Sequence, residues 1–507
     1  MSRSLRLLAP ILAALALAAP AAAQDPGGAG TGPRFEDAPC PFDTAGIEAP
    51  DLRCGYLLVP ESREGGVSRV LRLAVAISTP PNAEPDPVVL LPGGPGGAPL
   101  PRYIERFREW VPENRAVVLV DPRGTGYSGG IMCPELGDAY SDIAALDLTL
   151  PDARAMRRGA QLACRNLLLR EGVDLAAYNS TTVALDLRDL RTALGYDRWN
   201  LVSASYGVPF ARAAMRLDPE GIRSAVLGFG PSPDLGQLLT GDVPFFQRAL
   251  QRVFRGCAED GACAARLPDL EEAFHQAYDS LLAQPLAIRV DPAEFRSETF
   301  TVNGQDFVEM IYWLLGSESQ VARVPALIHA FRTRDVEVIE RTVARSYGGA
   351  SGLSQGMGIS VMCYDAYTPD SRGDWLDAAR GYPESLAAIA FFLDPCDFWS
   401  PARASAAERN PPASSVPALV VQGEFDPMNP PRVGEAHIRS LPKGQLVIMP
   451  GTGHMAGGRS NACWAELVAS FIESPIEPVD ASCTDELPPL RISPELPGWA
   501  QPPETPR

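Results

Sequence analysis

The stretch that decides the fold reads Trp199-Asn200-Leu201-Val202-Ser203-Ala204-Ser205-Tyr206-Gly207. Its apolar beginning predicts a strand, and the pattern from Pro209 through Met215 predicts a helix directly afterwards. A strand, a tight turn that carries a serine and a following helix together form a nucleophile elbow. The turn needs small residues around the serine because the strand and the helix pass close together there. Ser205 is therefore the candidate nucleophile.

The same stretch departs from the usual elbow pattern at one position. Ser203 stands where the first glycine of the elbow normally stands. Short strings of small residues are also common in loops, so a strand-to-helix turn without any chemistry is the alternative interpretation. The rest of the chain decides between the two.

Continuous apolar runs separated by helical patterns surround the elbow. Such runs are typical of strands that are buried on both faces of a parallel sheet. The runs are Pro87–Leu91, Ala116–Val120, Arg223–Leu227, Ala418–Gln422 and Gln445–Met449. The helical pattern of Thr181–Leu194 comes just before the elbow strand. This alternation predicts an α/β fold with a mostly parallel sheet flanked by helices.

Amphipathic helical patterns replace the strand runs in the middle of the chain, including one continuous pattern over Gln320–Ala344. They predict an inserted helical cap. The predicted organisation is a signal peptide (1–23), a flexible leader (24–34), the first part of the core (35–231), the cap (232–412), the second part of the core (413–485) and a Pro-rich tail (486–507).

The first 23 residues have the pattern of a secretory signal peptide. Arg3 and Arg6 form a basic start, Leu7–Ala19 is an apolar run, and three alanines precede Gln24 as a cleavage site. A membrane anchor is the alternative, but the run is short, rich in alanine and interrupted by proline. We therefore expect a secreted or periplasmic protein that has no membrane partner.

Charge and cysteine content narrow the class further. The 507 residues carry a formal net charge of −18, which excludes a basic surface for nucleic acid. Ten cysteines fit an oxidising compartment, whereas zinc binding is disfavoured by the absence of Cys-x-x-Cys spacing and by only four histidines. The predicted disulfides join neighbours along the chain, because short loops close most readily: Cys40–Cys54, Cys133–Cys164, Cys257–Cys263, Cys363–Cys396 and Cys463–Cys483.

A serine nucleophile needs a base, because its free hydroxyl is too weak an acid to attack at neutral pH. The single lysine, Lys443, sits in a Pro-Lys-Gly turn, which disfavours a Ser–Lys dyad. His275, His329 and His437 fall on predicted helices, where histidines are usually structural or solvated. His454 instead ends a Gly-Thr-Gly-His loop after a predicted strand, where α/β proteins form their ligand sites. His454 is therefore the candidate base.

The base needs an acid that fixes its tautomer, and Asp426 follows the strand Ala418–Gln422. A turn-forming aspartate before Pro427 is the alternative interpretation, and Glu424 is a weaker alternative acid. The order Ser205, Asp426, His454 is that of the α/β-hydrolase fold, and this order favours Asp426.

A developing oxyanion needs two backbone N–H donors. One is expected from Tyr206, which directly follows the nucleophile, and the other from Gly94 in the loop Pro92-Gly93-Gly94-Pro95-Gly96. Phosphate binding is the alternative for this loop. It is disfavoured because no Gly-Lys-Ser/Thr follows and because Pro95 lacks a donor.

These motifs resemble those of a known family. Pro92–Gly96 is similar to the His-Gly-Gly-Pro-Gly motif of proline iminopeptidases, with proline in place of the histidine. The octapeptide Asp-Pro-Arg-Gly-Thr-Gly-Tyr-Ser at 121–128 is similar to that family's Asp-Gln-Arg-Gly-x-Gly-x-Ser. Gly423–Cys483 resembles the C-terminal region of secreted tripeptidyl aminopeptidases of the same superfamily. The resemblance spans about Cys40 to Cys483 and is weakest in the insertion.

The resemblance implies a serine exopeptidase that acts on free N-termini and holds the substrate ammonium with carboxylates of the cap. Asp365 is the candidate for that role, and an ordinary surface acid is the alternative. The expected partner is a peptide or small acyl substrate, with no cofactor, no metal and no obligatory protein partner. A carboxylesterase with the same triad and a catalytically inactive binding protein remain alternative functions, because the triad does not fix the leaving group.

Overall fold

The computed structural model describes residues 33–65, 68–232, 242–348, 352–368, 394–410, 413–456, 460–487 and 492–500, with isolated positions between 373 and 382. The predicted signal peptide lies outside the described residues, as do most of the predicted leader and parts of the predicted tail.

A nine-stranded sheet forms the core, and a separate two-stranded hairpin lies between its seventh strand and its last two strands. The strands are β1 (Arg34–Asp37), β2 (Arg53–Pro60), β3 (Val70–Ser78), β4 (Glu84–Leu91), β5 (Arg115–Val120), β6 (Trp199–Ala204), β7 (Ile222–Gly228), β8 (Leu286–Arg289), β9 (Thr299–Val302), β10 (Ala418–Gly423) and β11 (Gly444–Met449).

The sheet order is β1-β2-β3-β5-β4-β6-β7-β10-β11. The pairs β1–β2, β2–β3 and β3–β5 are antiparallel, and the remaining five pairs are parallel. The predicted α/β fold with a mostly parallel sheet is thereby confirmed. Because β4, β6, β10 and β11 run parallel, the loops that follow them meet at one edge of the sheet.

Helices cover the sheet on both faces and fill the segment between β7 and β10. The helices are α1 (Ile104–Arg108), α2 (Glu135–Ala144), α3 (Leu150–Arg170), α4 (Ser180–Leu194), α5 (Gly207–Leu217), α6 (Asp242–Glu259), α7 (Gly261–Arg266), α8 (Leu270–Ala283), α9 (Pro292–Phe295), α10 (Gly304–Leu315), α11 (Glu318–Val321), α12 (Val324–Thr333), α13 (Val336–Tyr347), α14 (Gln355–Asp365), α15 (Ala406–Arg409), α16 (Pro431–Arg439) and α17 (Ser460–Glu473).

Alternate residues of each central strand belong to different hydrophobic clusters. On β5, Val118 and Val120 pack in the cluster with α4 and α5, whereas Val117 and Leu119 pack in the cluster with α1 and α17. Since both faces are covered, the strands are apolar throughout rather than alternating. This is why the continuous apolar runs of the sequence predicted the strands correctly.

The segment between β7 and β10 has its own hydrophobic cluster, built mainly from α6, α8, α10, α12 and α13. We call helices α6–α14 and the hairpin β8–β9 the cap. The sequence patterns did not predict this hairpin. The single helix predicted over Gln320–Ala344 was also wrong, because the chain breaks at Arg323 and again at Arg334, whose φ of 57° ends α12. The side chain of Asp335 then caps α13.

All ten cysteines form the five predicted disulfides: Cys40–Cys54, Cys133–Cys164, Cys257–Cys263, Cys363–Cys396 and Cys463–Cys483. The described helices include none with the length and apolar character that crossing a membrane requires.

Arg123 ties the loop after β5 to three other parts of the core. Its side chain is fully buried, and Nε and Nη2 each donate to the Asp186 carboxylate at 2.7 Å. Nη1 donates to the carbonyls of Glu61 and Ala177. All these groups are buried, so removing the guanidinium leaves two carbonyls without their donor and leaves the Asp186 carboxylate paired with Arg63 alone.

We predict that Arg123→Ala lowers the free energy of unfolding by about 3 kcal/mol, since it leaves two buried carbonyls unpaired and removes one of the two guanidinium partners of Asp186. Urea unfolding measures this. Arg34→Ala is the matched control, because Arg34 pairs with Glu36 on the surface and its loss is expected to cost about 1 kcal/mol or less. Equal losses for the two variants would contradict the role given to Arg123.

Candidate active site

Ser205 occupies a strained turn between β6 and α5. Its φ is 53°, in the left-handed region that side chains other than glycine rarely adopt. Its N–H donates to the carbonyl of Gly228 at 2.9 Å. Gly207 lets the next helix begin at once, because a Cβ there would lie 2.1 Å from the carbonyl oxygen of Leu91. The turn therefore has the geometry of a nucleophile elbow.

The serine at position 203 fits where the elbow pattern has glycine. Ser203 is fully buried on β6, and its hydroxyl donates to the carbonyl of Val226 on the neighbouring strand at 2.7 Å. The hydroxyl is thus satisfied inside the sheet, and this departure from the pattern leaves the turn intact.

His454 lies within hydrogen-bond reach of the serine. Its Nε2 is 2.8 Å from Ser205 Oγ. The loop after β11 brings it there, and the N–H of His454 donates to the carbonyl of Gly316 at the end of α10. Gly453 allows this approach, since a Cβ there would lie 2.5 Å from the Gly316 oxygen. The cap therefore holds the histidine loop.

Asp426 completes a hydrogen-bonded line. Its Oδ2 lies 2.9 Å from Nδ1 of His454, and its Oδ1 accepts from the N–H groups of Met428 and Asn429. The residue is fully buried. Since both carboxylate oxygens have donors, the side chain is fixed with Oδ2 facing the imidazole, which holds the proton on Nδ1 and leaves Nε2 free to accept.

Glu424 points elsewhere. Its carboxylate pairs with Arg252 of α6 and accepts from the N–H of Gly451 at 2.9 Å. It supports the turn that leads to His454 instead of contacting the imidazole.

The remaining candidate bases lie away from Ser205. Burial lowers the pKa of His437 to about 3, so this side chain is a neutral core residue of α16. His275 and His329 lie on cap helices α8 and α12. Lys443 precedes β11, whereas His454 follows it, so the lysine lies at the opposite end of that strand.

The glycine loop after β4 lies directly against the serine. A Cβ on Gly93 would be 2.8 Å from Ser205 Cβ. Gly94 has a φ of 129°, which favours glycine. Among the described residues, neither the Gly94 nor the Tyr206 N–H donates to an acceptor of the chain. Tyr206 directly follows Ser205 and Gly94 lines the same cavity as Ser205, so both predicted oxyanion donors lie at the site with N–H groups that have no acceptor among the described residues.

A cavity of about 810 Å³ opens at Ser205 and His454. Core and cap both line it, and most of the lining side chains are apolar. From the cap these are Tyr312, Trp313, Leu353, Met362 and Ala366. The described lining residues include one charged side chain, Arg102, and no carboxylate.

Asp365 does not line this cavity. It ends α14, and its carboxylate accepts from the hydroxyl of Tyr206 at 3.1 Å and from the hydroxyl and N–H of Ser180. Burial raises the pKa of Asp365 to about 7, although these three donors act in the opposite direction. Burial and the Asp365 charge raise the pKa of Tyr206 well above its usual value. The sequence analysis expected the substrate ammonium as the partner of Asp365, whereas the structure pairs this carboxylate with Tyr206 and Ser180.

Metal chemistry has little support from the described residues. Cys133, Glu135 and Cys164 form a group with suitable spacing, but the two sulfurs are joined in a disulfide and offer no thiolate.

Ser354 and Gly316 contact the active-site loops, and the sequence analysis predicted neither contact. Ser354 reaches the glycine loop, and Gly316 reaches His454. The glycine-rich composition of residues 348–358 was the available signal, because clustered glycines often mark a close backbone approach.

We predict that Gly93→Ala reduces kcat by about 100-fold or more, because the new methyl group forces the glycine loop away from Ser205. Steady-state kinetics measure this. Gly159→Ala on α3 is the control, since its methyl group meets no atom within 4 Å. Undiminished turnover by Gly93→Ala would show that catalysis does not depend on the present position of the glycine loop beside Ser205.

We predict that Asp365 makes folding stability depend on pH. Its pKa is about 7 in the folded chain against an ordinary 3.8, so between about pH 4 and 7 the folded state binds a proton that the unfolded state lacks. The stability from this group therefore falls as pH rises. The free energy of unfolding of the natural chain minus that of Asp365→Asn should be smaller at pH 8 than at pH 5. A difference that is constant or grows with pH contradicts this.

Two family matches cover the core and the C-terminal region. Residues 86–300 match the family described as alpha/beta hydrolase fold, and residues 387–483 match the family described as TAP-like protein.

Curated relatives match over most of the chain. The tripeptidyl aminopeptidase of Streptomyces lividans is 24% identical over 448 residues, which are 83% of this chain and 81% of that protein. The serine protease Hip1 of Mycobacterium tuberculosis is 24% identical over 469 residues, which are 87% of this chain and 89% of that protein. The solved structure of the proline iminopeptidase of Mycobacterium smegmatis covers 83% of this chain and 98% of its own, at 16% identity and a TM-score of 0.38.

The curated relatives and the TAP-like match confirm the resemblance seen in the sequence motifs, and the match over residues 86–300 confirms the predicted fold. The chain therefore has an α/β-hydrolase fold with a TAP-like C-terminal region, and it is similar over most of its length to a tripeptidyl aminopeptidase and a serine protease.

Proposed function

We propose that this chain is an exported aminopeptidase that releases short N-terminal peptides or single residues through a Ser-His-Asp acyl-enzyme mechanism. The observation that carries the proposal is the hydrogen-bonded line from Ser205 Oγ through His454 to Asp426, with distances of 2.8 and 2.9 Å. The names of the curated relatives support the choice of peptide substrates.

In this mechanism Ser205 Oγ attacks the carbonyl carbon of the scissile bond while its proton passes to His454 Nε2. Asp426 stabilises the imidazolium that forms. The oxyanion of the tetrahedral intermediate accepts from the N–H groups of Gly94 and Tyr206, two residues that line the cavity together with Ser205 and whose N–H groups have no other acceptor among the described residues. His454 then protonates the leaving amine, and the acyl group stays on Ser205 until water, deprotonated by His454, hydrolyses the ester.

The large, mainly apolar cavity accommodates several residues of a peptide on the acyl side, which fits removal of more than one residue at a time. The five disulfides support export to an oxidising compartment, where such bonds persist. The proposal includes no cofactor, no metal and no obligatory protein partner, and its substrate is a peptide.

A carboxylesterase is the second candidate, and a specific observation favours it. An aminopeptidase of this type needs an acidic group to pair with the substrate ammonium, yet the described lining residues include none and Asp365 has other partners. The catalytically inactive alternative is disfavoured, because His454 lies within hydrogen-bond reach of both Ser205 and Asp426.

We predict that the purified protein cleaves peptidyl-arylamides with a free amino terminus faster than the same compounds after N-acetylation. Ser205→Ala should abolish this turnover, and Asp426→Asn should lower kcat by about 10⁴-fold, because the imidazole then adopts the wrong tautomer. Chromogenic assays on these arylamides and on a short-chain aryl ester measure both effects. His275→Ala, on the cap helix α8, is the control with retained activity.

Each outcome selects one function. Turnover of the ester alone would replace the aminopeptidase with the carboxylesterase. Equal cleavage of free and acetylated arylamides would keep the peptidase and exclude recognition of the ammonium. Full activity of Asp426→Asn would contradict the proposed triad.

A further inference from the structure

One cap helix contacts both parts of the backbone that we assign to the oxyanion hole. Helix α14, Gln355–Asp365, begins beside the glycine loop and ends beside Tyr206. Eleven residues of α-helix span about 16 Å, a length that lets a single rigid element reach both sides of the site.

At the start of α14, Ser354 fastens the glycine loop. Its N–H donates to the carbonyl of Gly96 at 2.9 Å, its hydroxyl donates to the carbonyl of Gly124 at 2.6 Å, and the same hydroxyl accepts from the N–H of Met132 at 2.9 Å. Ser354 is fully buried. Because a buried hydroxyl with these partners has no freedom to rotate away, the serine fixes the glycine loop and the loop after β5 relative to the helix.

The packing around Ser354 leaves no space for an alternative position of the loop. A Cβ on Gly96 would lie 2.3 Å from the carbonyl oxygen of Ser354, and a Cβ on Gly358 would lie 3.1 Å from the carbonyl oxygen of Pro95. The first turn of α14 therefore rests directly on Pro95 and Gly96, the two residues that follow Gly94.

At the end of α14, Asp365 fastens the other donor residue. Its carboxylate accepts from the hydroxyl of Tyr206 at 3.1 Å, and it also accepts from the hydroxyl and N–H of Ser180 at the start of α4. Tyr206 is buried, with 8% of its surface exposed. The phenol ring is thereby held at its far end, while its backbone N–H borders Ser205.

We propose that α14 sets the spacing between the two oxyanion donors, with Ser354 and Asp365 as positioning residues that act through Gly94 and Tyr206. The inference rests on the proposed acyl-enzyme mechanism and deepens it. It also assigns to Asp365 a role other than binding the substrate ammonium.

The expected consequence is specific to the transition state. An oxyanion hole binds charge that develops during the reaction and contributes little to ground-state binding. Loosening either end of α14 should therefore lower kcat by roughly 10- to 100-fold and leave KM nearly unchanged, because small displacements of reacting groups have effects of this size.

The test compares Ser354→Ala, Asp365→Asn and Tyr206→Phe with two matched controls. Ser360→Ala removes another buried hydroxyl of α14, one that donates to the carbonyl of Gly356 and accepts from the indole N–H of Trp399. Tyr140→Phe removes a tyrosine hydroxyl that contacts Gln161 and does not line the cavity. The thermal midpoint of each variant reports its folding.

Two readouts are used. The first is kcat and KM on whichever substrate the natural chain cleaves fastest. The second is the rate at which a small alkyl fluorophosphonate modifies Ser205. In that reaction Oγ bonds to phosphorus, fluoride leaves and the serine proton passes to His454, so it reports the site without any peptide specificity. If the natural chain reacts with the probe but cleaves no peptide, the aminopeptidase proposal fails and the test of α14 proceeds on the probe.

The proposal predicts that the three α14-linked variants lose kcat and phosphonylation rate while the two controls keep both. It also predicts that Asp365→Asn and Tyr206→Phe together lose no more than the larger single loss, because the first weakens and the second removes the same hydrogen bond. Three results would overturn it: unchanged kcat in Ser354→Ala and Asp365→Asn, an equal loss in Ser360→Ala, or an Asp365→Asn variant that loses activity only on substrates with a free amino terminus. A natural chain in which Ser205 does not react with the probe would overturn it as well.

Discussion

The strained backbone of Ser205 is the constraint on which the site depends. A serine with a φ of 53° between a strand and a helix persists only if its surroundings hold it. Here Gly207 lets α5 pass against the end of β4, the N–H of Ser205 bonds to Gly228 on β7, and the backbone of Gly93 lies against the serine side chain. The parallel sheet thus determines where the nucleophile points, and the loops after β4, β10 and β11 are placed around it.

The cap is part of this support and does more than cover the cavity. It contacts the glycine loop through Ser354, Tyr206 through Asp365, and the loop of His454 through the carbonyl of Gly316. Glu424 adds a further link, since it joins Arg252 of the cap to the turn that precedes the histidine. Each partner group of Ser205 except Asp426 therefore depends on a cap contact, and movement of the cap would change nucleophile activation and oxyanion binding together.

The sequence predicted those features that follow from local chemistry. Continuous apolar runs indicated the strands because both faces of the sheet are covered. The elbow at Ser205 and the loops that carry Asp426 and His454 were recognisable because each has a characteristic set of residue types. The sequence did not predict the contacts between residues that lie far apart in the chain and belong to no recognisable motif. The clustered glycines around Ser354 indicate a close backbone approach but not its partners Gly96 and Gly124, and the residues beside Asp365 do not indicate that it faces Tyr206 instead of the cavity. The break at Arg334 was missed because arginine carries no signal for a left-handed conformation.

The central claim is that Ser205 forms a covalent acyl intermediate in this supported turn. The most direct measurement mixes the protein with a slowly deacylating ester or arylamide, quenches the mixture in acid within the first turnover, and locates the added mass by mass spectrometry of the proteolysed chain. The account predicts that the peptide containing Ser205 gains the mass of the acyl group, loses it again as the reaction proceeds, and gains nothing in His454→Ala. An acyl group on a different residue, or turnover in which no acyl-enzyme can be trapped, would contradict the account.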